Sequence, residues 1–256
     1  MPRLILYNIE YCEGTTKSSW QYFDLYHVFR SRKSLDDRII KFLETKNPDI
    51  LALVEIDNGS KRAKRRNETS YFGEMLGFNY ITHAVKYATE GITKIFTKMP
   101  VLKHQENALL TKYPVEDIKY HRLSKGTKNI VIEATAKLDK YVKILVVHLA
   151  LFKRTRKKQL RELTNIVNKI EEPLILVGDF NTFKEEELSI IVNNTRLEDS
   201  YKKEGFKCNP NTSPSWKPKY RLDNILVSSE VKVYNYEVLD VHYSDHLPVL
   251  VDFELK

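Results

Sequence analysis

Six stretches of the sequence join an apolar run to a residue that can hold a hard cation or move a proton. LILYN ends at Asn8, ILALVE at Glu55, ILVVH at His148, and LILVGDFN at Asp179 and Asn181. RLDNILV begins with Asp223, and HYSDHLPVLV carries Asp245 and His246 just ahead of its apolar part. Ionisable residues avoid buried strands unless they are paired or bound. Each site alone has an ordinary reading: Asn8 a turn former, Glu55 a surface acid, His148 a satisfied core histidine, Asp223 a salt-bridge partner of Arg221. Together they form a set with one chemistry. Carboxylate and amide oxygens without a thiolate suit Mg²⁺ or Mn²⁺, which take one or two carboxylates and leave positions for water and a phosphate oxygen. The histidines add groups that titrate near neutrality.

The elements that must position these residues are readable from periodicity. Runs rich in Val, Ile, Leu and Tyr predict strands at 3–9, 49–55, 107–111, 129–138, 142–150, 173–178, 222–228, 231–238 and 247–254. Leu160, Leu163, Ile166, Val167 and Ile170 trace one stripe of a helix over 154–170, stopped by Pro173. A second helix is predicted from Ser34, with the serine hydroxyl capping the first turn, Asp37 at its third position, and Asn47-Pro48 as the stop. Strand-helix alternation in the first and third quarters, with consecutive strands elsewhere, predicts a mixed α/β protein whose sheets are covered by helices.

The 256 residues contain no low-complexity tract, fixed-period repeat or Pro/Gly-rich linker, so a single domain over 1–256 is expected. Neither a signal peptide nor a membrane span fits the apolar runs, and Cys12 and Cys208 have no CxxC or Cys/His spacing. A reducing, cytoplasmic setting follows as the expectation. Lys and Arg number 42 against 34 Asp and Glu, a net charge of +8 that favours polyanionic partners, nucleic acid or an anionic membrane surface.

In order and local wording the chain resembles the endonuclease/exonuclease/phosphatase superfamily, the fold group of deoxyribonuclease I and of exonuclease III-type abasic endonucleases. The matching pieces span most of the chain: YNIE, LALVEID, NALLTKYPV, VVHLAL, VGDFNT, YRLDNILV and YSDHLPV. The resemblance implies a four-layer α/β/β/α sandwich, two packed mixed β-sheets flanked by helices, with the active site at one edge. It also implies roles for phosphodiester hydrolysis. Glu55 is the main metal carboxylate, Asn8 and Asp245 help place metal and phosphate, and Asp179 orients or deprotonates the water. Asn181 donates to a phosphate oxygen, His246 contacts the scissile phosphate, and Asp223 holds His246. His148 stands where deoxyribonuclease-like, sphingomyelinase-like and inositol-phosphatase-like members also have HL, as a second phosphate ligand or general acid. Asn107 is a candidate for the same pocket. Glu106 either orients His148 or is a solvated turn acid.

Two basic runs, KRAKRR at 61–66 and KRTRKK at 153–158, follow Glu55 and His148, and KPKYR at 217–221 leads into Asp223. These place Lys61, Arg62, Arg65, Arg66, Lys153, Arg154, Arg156, Lys219 and Arg221 on an expected positive rim for a nucleic-acid backbone. The aromatic segment 11–29 offers stacking faces for unpaired bases. Residues 84–105 mix apolar side chains with lysines in a way that suits peripheral contact with an anionic membrane, without stable insertion. Three functions are consistent with these features: a nuclease acting as a monomer on DNA or RNA, a phosphodiesterase or phosphatase for phospholipid headgroups or inositol phosphates, and a non-catalytic nucleic-acid-binding module. The intact site set disfavours the last.

Overall fold

The structure is a computed structural model that describes residues 1–14, 34–60, 63, 65–85, 104–203 and 205–256. In chain order its strands are β1 (Arg3–Asn8), β2 (Ile50–Asp57), β3 (Tyr80–Val85), β4 (Gln105–Thr111), β5 (Val115–Arg122), β6 (Ile130–Lys137), β7 (Tyr141–His148), β8 (Leu174–Asp179), β9 (Glu198–Asp199), β10 (Asp223–Val227), β11 (Val231–Val238) and β12 (Val249–Leu255). The helices are α1 (Leu35–Lys46), α2 (Glu68–Leu76), α3 (Lys153–Val167), α4 (Glu185–Val192) and the single turn α5 (Ser200–Lys203). One sheet has the order β11-β12-β1-β2-β4-β3 and the other β5-β6-β7-β8-β10-β9.

Each sheet has a parallel pair at its centre, β1 with β2 and β7 with β8, and antiparallel neighbours around it. A parallel pair requires a crossover, supplied by α1 in the first case and α3 in the second. Leu4, Leu6, Ile50, Ala52, Val54 and Leu109 of the first sheet meet Ile132, Ala134, Ile144, Val146, Ile175, Val177 and Ile225 of the second in one buried cluster. The other faces are covered by helices: Ile39, Ile40 and Leu43 of α1 with Phe72 of α2 on the first sheet, and Leu160, Leu163 and Val167 of α3 with Leu188 and Ile191 of α4 on the second. The expected four-layer sandwich is what forms. None of the described helices is long and apolar enough to cross a membrane.

The differences from the periodicity reading have local causes. β3 and β5 lie at sheet edges and are mostly exposed: VEDIKYHR of β5 is largely polar, and YITHAV of β3 exposes Tyr80, Ile81 and Val85 while burying Thr82, so neither leaves an apolar alternation to read. Ser34 does not cap α1: it adopts a left-handed φ of 64° and its side chain makes no cap bond. The first-turn acids tie α1 to its neighbour instead, Asp37 accepting from the Tyr71 hydroxyl at 2.6 Å and Asp36 pairing with Arg66. Helix α3 ends at Val167, three residues before the expected limit, although Ile170 is still buried beyond it.

Candidate active site

Parallel strands deliver their carboxyl ends to the same edge of a sheet, so Asn8 and Glu55 gather on one sheet and His148 and Asp179 on the other. The pleat decides where these side chains face. Leu4 and Leu6 share the face of Asn8, Ile144 and Val146 that of His148, Ile175 and Val177 that of Asp179, and Ile225 and Val227 that of Asp223. The apolar row between the sheets therefore becomes polar at one mouth. Register places His148, Asp179 and Asp223 at one level on β7, β8 and β10.

Gly178 makes that approach possible. A Cβ at this position, where φ is +153°, would lie 1.9 Å from the Val147 carbonyl oxygen, so only glycine lets β8 run this close to β7. Glu55 reaches the mouth differently. Strand phase alone would send it to the helix side with Leu51 and Leu53, but the β2–β4 register shifts between Val54 and Ile56, and Glu55 sits there with φ +60°. A non-glycine residue in this conformation stores roughly 1–3 kcal/mol of strain. Asn107 on β4 backs the bulge, its Oδ1 lying 3.5 Å from the Glu55 amide nitrogen.

Polar side-chain pairs then join the two sheets. Asn8 Nδ2 donates to Asp179 Oδ2 at 3.1 Å. Glu55 Oε1 lies 3.2 Å from Lys128 Nζ and 3.7 Å from His148 Nε2, and His246 Nδ1 bonds Asp223 Oδ2 at 2.6 Å. Within the second sheet, His148 Nε2 is 3.3 Å from Asp179 Oδ2. The loop bearing Asp245 and His246 is fastened by Ser244, whose hydroxyl donates to the Asn8 carbonyl at 2.7 Å. Thr212 donates to the same Asp223 oxygen that receives His246, which orients the ring.

Burial by itself would lower the His246 pKa, but the Asp223 and Asp245 carboxylates overcome it and hold the ring well above the ordinary histidine range. Burial raises Asp179 to about 6; Asp223 adds to the rise, and His246, Lys128 and the Asn181 amide oppose it. One group thus carries a proton near neutral pH while another is poised to take one.

Lys128 escaped the sequence reading because a lysine in SKGTKN has no distinguishing neighbour. Its loop is nevertheless fixed by α3, where buried Gln159 donates to the carbonyls of Lys125 and Lys128, each at 2.7 Å. Glu162 accepts from the Ser124 amide at 2.7 Å.

The remaining expected site residues differ in their partners. Asn181 has a left-handed φ of 52°, its backbone amide donating to Asp179 and its side chain to the Leu149 carbonyl at 3.0 Å. His148 has a fully buried side chain, its Nε2 3.7 Å from Glu55 Oε1 and 3.3 Å from Asp179 Oδ2. Asn107 is buried, with its Oδ1 turned to the Glu55 amide. Glu106 neither orients His148 nor faces water: fully buried on β4, it accepts from Asn58, Thr69 and His83.

The rim is sparser than expected. Lys61 and Arg62 lie outside the described residues, as do most of segment 11–29 and residues 86–103. Arg65 is exposed, whereas Arg66 is held by Asp36 and stacks on Tyr71. Lys153 and Arg154 are exposed in the first turn of α3, and Lys219 is exposed near Asp223. Arg156 and Arg221 are corrections. Arg156 is 2% exposed and hydrogen-bonded to Glu187, and Arg221 donates two hydrogen bonds to the Asp199 carboxylate while lying over the Tyr201 ring. Paired guanidinium groups in these positions are structural.

Residues 7–246 match the model of the Endonuclease/Exonuclease/phosphatase family. No curated protein matches the sequence. Among solved structures, the human Nocturnin catalytic domain with bound sulfate is similar at 21% identity and TM-score 0.71, covering 100% of this chain and 93% of that one. The Bacteroides thetaiotaomicron mannosyl-6-phosphatase is 17% identical with TM-score 0.71 over 100% of both chains. A humanized D. rerio TDP2 is 13% identical with TM-score 0.70, over 99% of this chain and 98% of the other. At such identities the likeness speaks for the fold alone. The family match over nearly the whole length, on a sandwich whose mouth gathers Asn8, Glu55, Asp179, Asp223 and His246, leads to the conclusion that the chain belongs to the Endonuclease/Exonuclease/phosphatase family.

Proposed function

We propose that the protein is a divalent-metal-dependent phosphodiester hydrolase acting on nucleic acid. The observation that carries this reading is the opposed pair in one buried mouth: His246, kept protonated by Asp223, and Asp179, poised near pH 6. Hydrolysis of a phosphodiester needs an acceptor for the proton of the attacking water and positive charge beside the phosphate. Asp179 takes the proton. His246 presents an N–H to the phosphate, and Asn181 has a second amide hydrogen to add to the one directed at Leu149. His148 positions the Glu55 and Asp179 carboxylates.

Among the described residues no three His, Cys, Asp or Glu side chains form a closed metal cage. The donors present fit a hard ion that keeps water and substrate oxygens: Glu55 and Asp245 would hold Mg²⁺ or Mn²⁺ with the Asn8 carboxamide oxygen, with no sulfur among them. When bound, the ion supplies positive charge to the phosphate oxygens.

Nucleic acid is favoured by the +8 net charge and by exposed Lys153 and Arg154. These cations occupy the first turn of α3 with no acid beside them, where the helix dipole disfavours them by roughly 0.3–1 kcal/mol each. An attraction for an anion accounts for that arrangement. A second reading, hydrolysis of phospholipid headgroups, draws on Leu151 and Phe152, which are 56% and 81% exposed between His148 and these cations.

Purified protein offered single- and double-stranded DNA, RNA, sphingomyelin and inositol phosphates with Mg²⁺ or Mn²⁺ should cleave nucleic acid, and EDTA should stop it. His246→Ala and Asp179→Asn should each remove most turnover, with Asp179→Asn melting at or above the wild-type temperature because a desolvated carboxylate is gone. Cleavage of headgroup substrates alone refutes the nuclease reading, and undiminished hydrolysis by either variant refutes the site.

A further inference from the structure

A second concavity, with a volume of about 310 Å³, opens beside the mouth and is lined by Thr182, Phe183, Lys219, Tyr220 and Asn224 among others. The chain links it to the catalytic centre twice. Thr182 and Phe183 directly follow Asn181, and Tyr220 lies three residues before Asp223. On β10 the pleat then separates the two sites, sending Asp223 toward the gap between the sheets and Asn224 to the opposite face. We propose that this pocket receives the unpaired base of a nucleotide whose phosphate lies at the His246 centre.

Two features select a planar nitrogen heterocycle. Phe183 and Tyr220 pack edge to face, with ring centroids 5.3 Å apart, and remain 41% and 42% exposed at the pocket wall. Every base has a π-face that such rings can stack on. Asn224, 1% exposed, supplies the second feature. Its Nδ2 donates to the Leu222 carbonyl at 3.1 Å, while its buried Oδ1 has no hydrogen-bond partner. A buried acceptor left in that state calls for a donor, which an exocyclic amino group or a ring N–H provides.

A polyol ring fits less well. Inositol or a hexose would bring several hydroxyls needing partners, yet Asp199 and Arg221 in the same wall are already bonded to each other. Lys219 at the edge suits the phosphate that the base would carry. A duplex keeps its bases stacked and paired, so the occupant comes from a single strand or a mononucleotide. The position of the phosphate rests on the hydrolase reading, whereas the preference for a base rests on the pocket walls alone.

Binding without turnover separates the two. In EDTA, ligand-observed NMR would compare AMP, N6-dimethyl-AMP, ribose 5-phosphate and inositol 1-phosphate. AMP should bind about ten- to a hundred-fold more tightly than either base-free phosphate, the gain expected from stacking one base. Phe183→Ala and Tyr220→Ala, at half-exposed positions compatible with folding, should each bring that ratio toward one. Asn224→Leu should remove the preference for AMP over its N6-dimethyl form, which has no N–H to give. Equal binding of AMP and ribose 5-phosphate, tighter binding of inositol 1-phosphate, or a ratio unmoved by both aromatic substitutions overturns the proposal. Hydrolysis of nucleic acid without any base preference overturns the pocket and leaves the hydrolase reading intact. Base-selective binding without hydrolysis of any phosphoester supports the pocket and overturns the hydrolase reading.

Discussion

Replacing Arg156 by Met distinguishes a structural guanidinium from a substrate-binding one. Arg156 is 2% exposed, bonds Glu187 through Nε and Nη2 at 3.0 and 2.9 Å, and donates through Nη1 to the Ala150 carbonyl at 3.0 Å and the Leu151 carbonyl. Glu187 is itself buried on α4, so the single substitution strands a carboxylate and two carbonyls together. Breaking a buried pair in this way costs about 3–5 kcal/mol. For a chain of this size each kcal/mol moves the thermal midpoint by about 2–4 °C, giving a fall on the order of 10 °C. Removing both charges as Arg156→Met/Glu187→Leu should recover much of the loss, leaving a coupling energy of about 1–3 kcal/mol in a double-mutant cycle followed by urea unfolding. Below its midpoint the single variant should retain its kcat. A variant that melts like the wild type yet loses substrate affinity would return Arg156 to the rim and refute the assignment.

Other consequences can be measured directly. In EDTA-treated protein, carboxyl NMR should find Asp179 titrating near pH 6, and Lys128→Met should move that midpoint upward, because the ammonium favours the ionised form. Gly178→Ala should destabilise by more than about 4 kcal/mol or prevent soluble expression, since the new Cβ meets backbone rather than a mobile side chain; a well-folded variant would contradict the close approach of β7 and β8. If nucleic acid is the substrate, Lys153→Ala and Arg154→Ala should each reduce the slope of log K against log salt by about 1 for every phosphate that the variant no longer neutralises.

The strand ends were legible because apolar runs that terminate in Asn, Glu, His or Asp violate the ordinary distribution of polar residues, and every such violation reached the same mouth. The sandwich itself came from resemblance; periodicity supplied the strands and the α3 stripe but could not pair them. Lys128 was hidden because its place depends on Gln159, a long-range partner that leaves no local pattern. The rim was over-read for the converse reason. Arg156 and Arg221 look like solvated charges in KRTRKK and KPKYR, and only tertiary packing brings Glu187 and Asp199 against them. Glu106 likewise needed Thr69 and His83 from distant segments to become a buried acceptor.

The links Asn8–Asp179, Glu55–Lys128, Glu55–His148 and Asp223–His246 all span the interface between the two sheets, so the reactive constellation behaves as a calliper on their separation. Slippage of an ångström between the layers leaves each sheet hydrogen-bonded internally yet pulls every one of those pairs apart. Urea should therefore extinguish hydrolysis before circular dichroism registers any loss of strand or helix.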